Sequence, residues 1–108
     1  MYKLNNLNDL LKTINGTPIA HLDNKPLTIK AALISICELH KPTPGSGEGI
    51  KAYDLGIKLH NAKDSLEIKE DEVNFLKELV GKSEVFFAVV IGLLDKYLGE
   101  AQAKVERN

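Results

Sequence analysis

The chain has one cysteine, one methionine, no tryptophan and only 6% aromatic residues among its 108 positions. A lone cysteine cannot close an internal disulfide, so nothing asks for an oxidising compartment and the expectation is a cytoplasmic protein. An excess of one charge is lacking too, since 14 Lys+Arg face 15 Asp+Glu for a net charge of -1 at pH 7. With no surplus of positive charge to hold a phosphate backbone by counterion release, nucleic acid is not the default partner. No stretch approaches the roughly 20 apolar residues that a membrane span requires. The start, Met1-Tyr2-Lys3-Leu4-Asn5-Asn6, lacks the continuous apolar core of a signal peptide. What remains is 44% hydrophobic and 27% charged, with 4 Pro and 8 Gly, an ordinary composition for one globular domain spanning residues 1–108.

Turn formers dominate the first quarter, where Asn15-Gly16-Thr17-Pro18 and Asp23-Asn24-Lys25-Pro26 bracket Ile19-Ala20-His21-Leu22. Asn-Gly favours turns whose twist matches that of paired strands, so Leu10 to Ile14 and Pro18 to Leu22 are expected to form a small hairpin. A helix over Leu4 to Ile14 is the rival reading, because Leu4, Leu7, Leu10, Leu11 and Ile14 fall at helical spacing. Thr28 can cap a helix running to His40, with Ile29, Ala32, Leu33, Ile36, Cys37 and His40 on one stripe. Pro42 and Pro44 stop it, and residues 41–47 read as an exposed Pro/Gly loop. A second helix over 48–62 carries two stripes, Tyr53, Ile57 and His60 beside Ala52, Leu55, Leu59 and Ala62, with Gly56 allowing a close approach.

Asp64 to Ile68 alternates toward its end and suits a very short strand or an extended lead-in to the next helix. Glu70, Asp71 and Glu72 then mark the start of a third helix, which carries Val73, Leu76, Leu79 and Val80 out to Gly81. Ser83 can cap a fourth helix, with Gly99 as its stop and a fraying polar tail over 100–108. Within it Val85 to Leu94 is apolar on every side, which suits either a central core element or a contact for another chain. A buried strand also fits that run; the helix is preferred because Leu94, Tyr97 and Leu98 continue its stripe. The expected fold is therefore mainly α (α+β), with about four helices and an N-terminal β-hairpin, and Leu33, Ile57, Leu76 and Val89 are expected in the core. An all-round apolar helix in so short a chain needs more cover than three other helices supply, so Phe86, Phe87, Val90, Ile91 and Leu94 are expected to divide between the core and a homodimer contact; the alternative is a monomer in which the hairpin and the 28–40 helix cover both faces.

Chemistry-bearing residues are few. Cys37 and His40 lie three apart on one helix, with His60 as a third ligand candidate, yet a structural zinc site wants four ligands and usually paired cysteines. Read as nucleophile and base, Cys37 sits in an apolar stripe rather than in an electropositive pocket. Gly45-Ser46-Gly47-Glu48-Gly49 has the look of a phosphate cradle but lacks a Gly-Lys-Ser/Thr ending and carries a repelling Glu48. No catalytic, metal-binding or cofactor-binding residues are therefore assigned, and no cofactor is expected. Residues 64–84 hold seven acids and three lysines, against eight lysines and five acids in residues 1–63, an asymmetry that a solvated helix face explains as well as partner steering does.

The order of features is similar to that of a family of small, mostly uncharacterised phage and prophage proteins: an Asn-Gly-Thr-Pro-Ile turn, Pro-Leu-Thr-Ile opening a helix, Lys-Ala-Tyr-Asp-Leu-Gly-Ile-Lys-Leu, then Leu-Glu-Ile-Lys-Glu-Asp-Glu-Val and a closing apolar helix. The resemblance covers roughly residues 10–98 and implies a phage origin and a bacterial host cytoplasm, with no site residues to transfer. The expected function is a non-enzymatic accessory protein that binds a host or phage protein. An assembly chaperone, such as one for phage tails, is one alternative. A nucleic-acid-binding regulator is the other, and it needs Lys3, Lys12, Lys25, Lys30, Lys51 and Lys58 on one face.

Overall fold

Thr28 opens the first helix, α1 (Ile29–Leu39), as its hydroxyl predicts. Helix starts leave backbone amides without intrahelical acceptors, and in the computed structural model each of these finds one. Ile29 N–H donates to the Asp9 carbonyl at 3.0 Å, Lys30 N–H to the Leu7 carbonyl at 2.9 Å, and Ala31 N–H to Thr28 Oγ1 at 3.0 Å. The structure describes residues 2–20, 24–41, 43–84, 86 and 88–106, with side chains as far as Ala101. The expected stripe Ile29, Ala32, Leu33, Ile36 and Cys37 is buried, and only Glu38 and Leu39 of α1 are exposed. The buried α1 residues share one core cluster with Val90, Leu94 and Leu98.

The α+β class is as expected, four helices with a small antiparallel β element at the N-terminus. Strand β1 (Tyr2–Leu4) pairs with β2 (Leu66–Ile68), Tyr2 opposite Ile68 and Leu4 opposite Leu66. The short strand expected within Asp64 to Ile68 is β2. The hairpin turn is also present: Lys12 bridges to Pro18 around Asn15 and Gly16, which has φ +86°. Longer strands do not form there. Instead Ile19 N–H donates to the Leu11 carbonyl (2.9 Å), Leu27 N–H to the Ile19 carbonyl (2.7 Å) and Leu11 N–H to the Leu27 carbonyl (2.8 Å), a closed ring of three backbone bonds. Pro18 and Pro26 stand at two of the bridges and bring no N–H to extend a ladder, which limits the pairing to single contacts. His21 and Leu22, expected in the second strand, lie outside the described residues. Leu4 to Ile14 is not helical, and Ile14 is fully exposed.

Helix α2 (Glu48–Asn61) buries Ala52, Leu55 and Leu59. Ile57, expected in the core, is 42% exposed. With two apolar stripes on one helix, only one can face the neighbouring helices, and the other is left outside. A Cβ added at Gly56 would meet Cys37 Cβ at 3.6 Å, so the close approach is made to α1 and has room for a methyl group. Helix α3 (Glu70–Lys82) buries Val73, Leu76, Leu79 and Val80, and its N-terminal Glu72 accepts the Lys69 N–H at 3.0 Å.

Two expectations at the C-terminal end are corrected. Ser83 closes α3, its N–H donating to the Val80 carbonyl, instead of opening the next helix. Helix α4 runs over Ala88–Glu106, beginning later and continuing through Gly99 into the segment expected to fray. A glycine inside a helix costs about 1 kcal/mol, and here the buried row Val90, Leu94, Leu98 and Ala101 crosses it at helical spacing, followed by good helix formers. Val89, expected in the core, is only half-buried. Among the described residues no helix is long and apolar enough to cross a membrane.

Leu33→Ala and Leu76→Ala are each expected to lower unfolding stability by about 2–5 kcal/mol, and Ile57→Ala by about 1 kcal/mol or less. Gly99→Ala, where an added Cβ meets nothing within 4 Å, is expected to raise stability by about 0.5–1 kcal/mol. Urea denaturation measures all four, and an Ile57→Ala loss equal to that of Leu33→Ala would show the α2 stripes to be reversed.

Candidate functional site

The stripe left outside α2 is the first element of the site. Ile50, Tyr53 and Ile57 repeat at i, i+3 and i+7, and their exposures are 71%, 68% and 42%. Single exposed apolar residues are ordinary on a protein surface, whereas an aligned set on one helix face marks a contact surface. A groove of about 670 Å³ lies between α1 and α2, lined by Ile34, Cys37, His40, Tyr53, Ile57 and His60 among others. A second hollow, of about 550 Å³, lies toward α3 and includes Lys51, Tyr53, Ile57, Lys58 and Phe75. Tyr53 and Ile57 line both, so the outer face of α2 stands as a ridge between two depressions.

Charges brace the α3 side of that ridge. Lys58 Nζ donates to Glu72 Oε2 at 2.6 Å, and Lys51 Nζ stands over the Phe75 ring, 5.7 Å from its centroid. Burial works to raise the pKa of Glu72, but the Lys58 and Lys69 hydrogen bonds outweigh it and hold this carboxyl below its usual value. The His40 ring meets the same Phe75 edge-to-face, centroids 6.5 Å apart. These contacts fix the flanks of α2 while its apolar ridge stays uncovered.

The candidates for chemistry fare differently. Cys37, His40 and His60 do line one groove, yet among the described residues no group of three or more His, Cys, Asp or Glu is arranged to hold a metal ion. Cys37 is 5% exposed, and burial first, with the nearby Glu38 second, pushes its thiol up to about 12. A thiol so placed stays protonated near neutral pH and is a packing group rather than a nucleophile. In the 41–47 loop, exposed at every described position, Glu48 Oε2 accepts the Thr43 N–H at 2.9 Å and lies 3.0 Å from Ser46 Oγ. The Thr43 N–H and the Ser46 hydroxyl are thus already engaged by the chain's own carboxylate.

The lysines that a nucleic-acid face would need are partly engaged elsewhere. Lys30 Nζ donates to the Ala62 carbonyl at the end of α2, Lys58 pairs with Glu72, and Lys51 covers Phe75.

The residues expected on α4 to divide between the core and a homodimer contact are placed as follows. Val90 and Leu94 are 2% and 0% exposed and belong to the chain's own core, while Phe86 and Ile91 are half-buried against it. Phe87 lies outside the described residues. Helix α3 and strand β1 pack against α4. Sequence reasoning placed Tyr53 and Ile57 on a stripe and expected Ile57 in the core; the structure turns that stripe outward and buries the neighbouring Ala52, Leu55 and Leu59. No protein-family model, curated protein or solved structure matches the chain.

Cys37 is expected to react with a thiol reagent at pH 8 only as fast as the protein unfolds, with the rate rising in urea. Stoichiometric labelling of the native protein within seconds would contradict the buried, protonated thiol.

Proposed function

We propose that the protein is a small non-enzymatic accessory factor that acts by binding another protein through the outer face of α2. The observation that carries this reading is the aligned exposure of Ile50, Tyr53 and Ile57 between two hollows, on a helix whose opposite stripe is already buried. Tyrosine is favoured at such positions because a rigid ring gives a large contact at low entropic cost while its hydroxyl stays hydrated. The buried Cys37 removes the nucleophile that the sequence offered, which supports binding over catalysis. The resemblance of the sequence to small phage and prophage proteins supports a partner of phage or host origin in the bacterial cytoplasm.

The test is capture from infected and uninfected host lysates by the tagged protein, by Tyr53→Ala/Ile57→Ser and by Ile14→Ser, which alters a fully exposed apolar residue far along the chain from this ridge. A partner retained by the parent and by Ile14→Ser should be lost by the α2 variant at unchanged melting temperature. For the purified pair, loss of a central aromatic anchor is expected to weaken Kd by roughly thirtyfold, about 2 kcal/mol. Retention of every captured protein by a folded α2 variant would refute the assignment of this face.

A further inference from the structure

The turn over residues 13–17 gathers on Thr13. Thr13 N–H donates to the Thr17 carbonyl at 2.8 Å, and the Thr13 carbonyl accepts Gly16 N–H at 2.9 Å. Thr13 Oγ1 accepts Thr17 N–H at 3.2 Å and donates its own proton to Asn15 Oδ1. Gly16 has φ +86°, so the turn itself requires glycine there, and a Cβ at that position would meet nothing within 4 Å. Asn15 and Gly16 are both exposed, and Asn15 is the one asparagine in the chain that precedes glycine.

An asparagine side-chain amide can close a five-membered ring with the backbone nitrogen of the next residue, and the bulk of that next residue is what ordinarily hinders closure. Gly16 brings no side chain to hinder it. Two bonds at Thr13 oppose the reaction instead. The attacking atom is Gly16 N, whose proton is donated to the Thr13 carbonyl, and the attacked carbon is Asn15 Cγ, whose oxygen the Thr13 hydroxyl pins. The turn therefore brings the two reactants together in the chain and restrains both through one residue.

We propose that Asn15 is a self-modification site, a slow deamidation whose pace Thr13 sets. When the turn opens, hydroxide takes the Gly16 amide proton, and the electron pair of the nitrogen forms the Gly16 N–Asn15 Cγ bond. The Cγ–Nδ2 bond then breaks, and the departing nitrogen takes a proton from water and leaves as ammonia, which restores the hydroxide. Water next opens the ring at one of its two carbonyls. Opening at Cγ gives aspartate, and opening at the Asn15 backbone carbonyl gives iso-aspartate, in which the main chain runs through the side-chain carbons. One water is consumed and one ammonia released, with no change of oxidation state. Either product adds a carboxylate beside Ile14, the fully exposed apolar residue of the same turn. Iso-aspartate also lengthens the backbone by one methylene, which takes Gly16 N–H out of register with the Thr13 carbonyl and loosens the flanking Lys12–Pro18 bridge.

The test incubates the purified full chain at mildly alkaline pH, folded and in urea, and follows Asn15 by intact mass and by peptide mapping that separates iso-aspartate from aspartate. Asn15 is expected to convert before any other asparagine, to both acids, and about tenfold more slowly in the folded protein than in urea. Thr13→Ala, which removes the hydroxyl and keeps the backbone, should convert about fivefold faster than the parent when folded and at the parent's rate in urea. In the parent alone, urea below the unfolding transition should speed conversion in step with the loss of Gly16 amide protection, a readout that needs no variant. Equal rates in the folded and unfolded chain, aspartate as the sole product, a folded Thr13→Ala slower than the parent, or an unconverted folded Asn15 once the unfolded chain has converted fully would each overturn the proposal.

Discussion

Residues 5–9 are the knot on which the arrangement depends, although they form neither helix nor strand. Their backbone groups are divided among three neighbours. The Leu7 and Asp9 carbonyls take the first amides of α1, Leu7 N–H donates to the Asp64 carbonyl just before β2, and the Asn5 carbonyl accepts the Tyr97 hydroxyl of α4. Asn6 makes the bend with φ +57°, a left-handed conformation that asparagine tolerates better than most residues do. Buried backbone groups need partners, so the start of α1 and the path of residues 5–9 determine each other. With α1 placed, Lys30 reaches across to the last carbonyl region of α2, where a cation also suits the helix dipole.

This placement decides which side of α2 meets the core. Cys37 of α1 packs toward Gly56, and Ala52, Leu55 and Leu59 follow inward. Ile50, Tyr53 and Ile57 are then left outside by helix geometry, not by a lack of hydrophobicity. The exposed ridge is the stripe that α1 did not take.

The first three helices were legible because local chemistry marks their ends. Thr28 supplies a cap, Pro44 follows the first helix, and the acids at 70–72 open the third, so the boundaries agree to within about two residues. Elsewhere the local signals had two readings. Ser83 can begin one helix or end another, and tertiary packing chose the latter; Gly99 is a stop signal that the row Val90, Leu94, Leu98 and Ala101 overrides. The β1–β2 pairing joins residues more than sixty positions apart through three-residue strands, too short for periodicity to register. For the site, the stripe containing Tyr53 and Ile57 was visible, but its direction was not, because two apolar stripes on one helix are equivalent until a neighbouring helix selects between them.

The most direct test of this account is native-state hydrogen exchange at Ile29, Lys30 and Ala31, the amides whose acceptors lie at residues 7–9 and Thr28. If that contact organises the chain, these amides exchange as slowly as Leu33 in the middle of α1, through opening of the whole domain. Rapid exchange at all three, as in the frayed first turn of an uncapped helix, with Leu33 still protected, would contradict it.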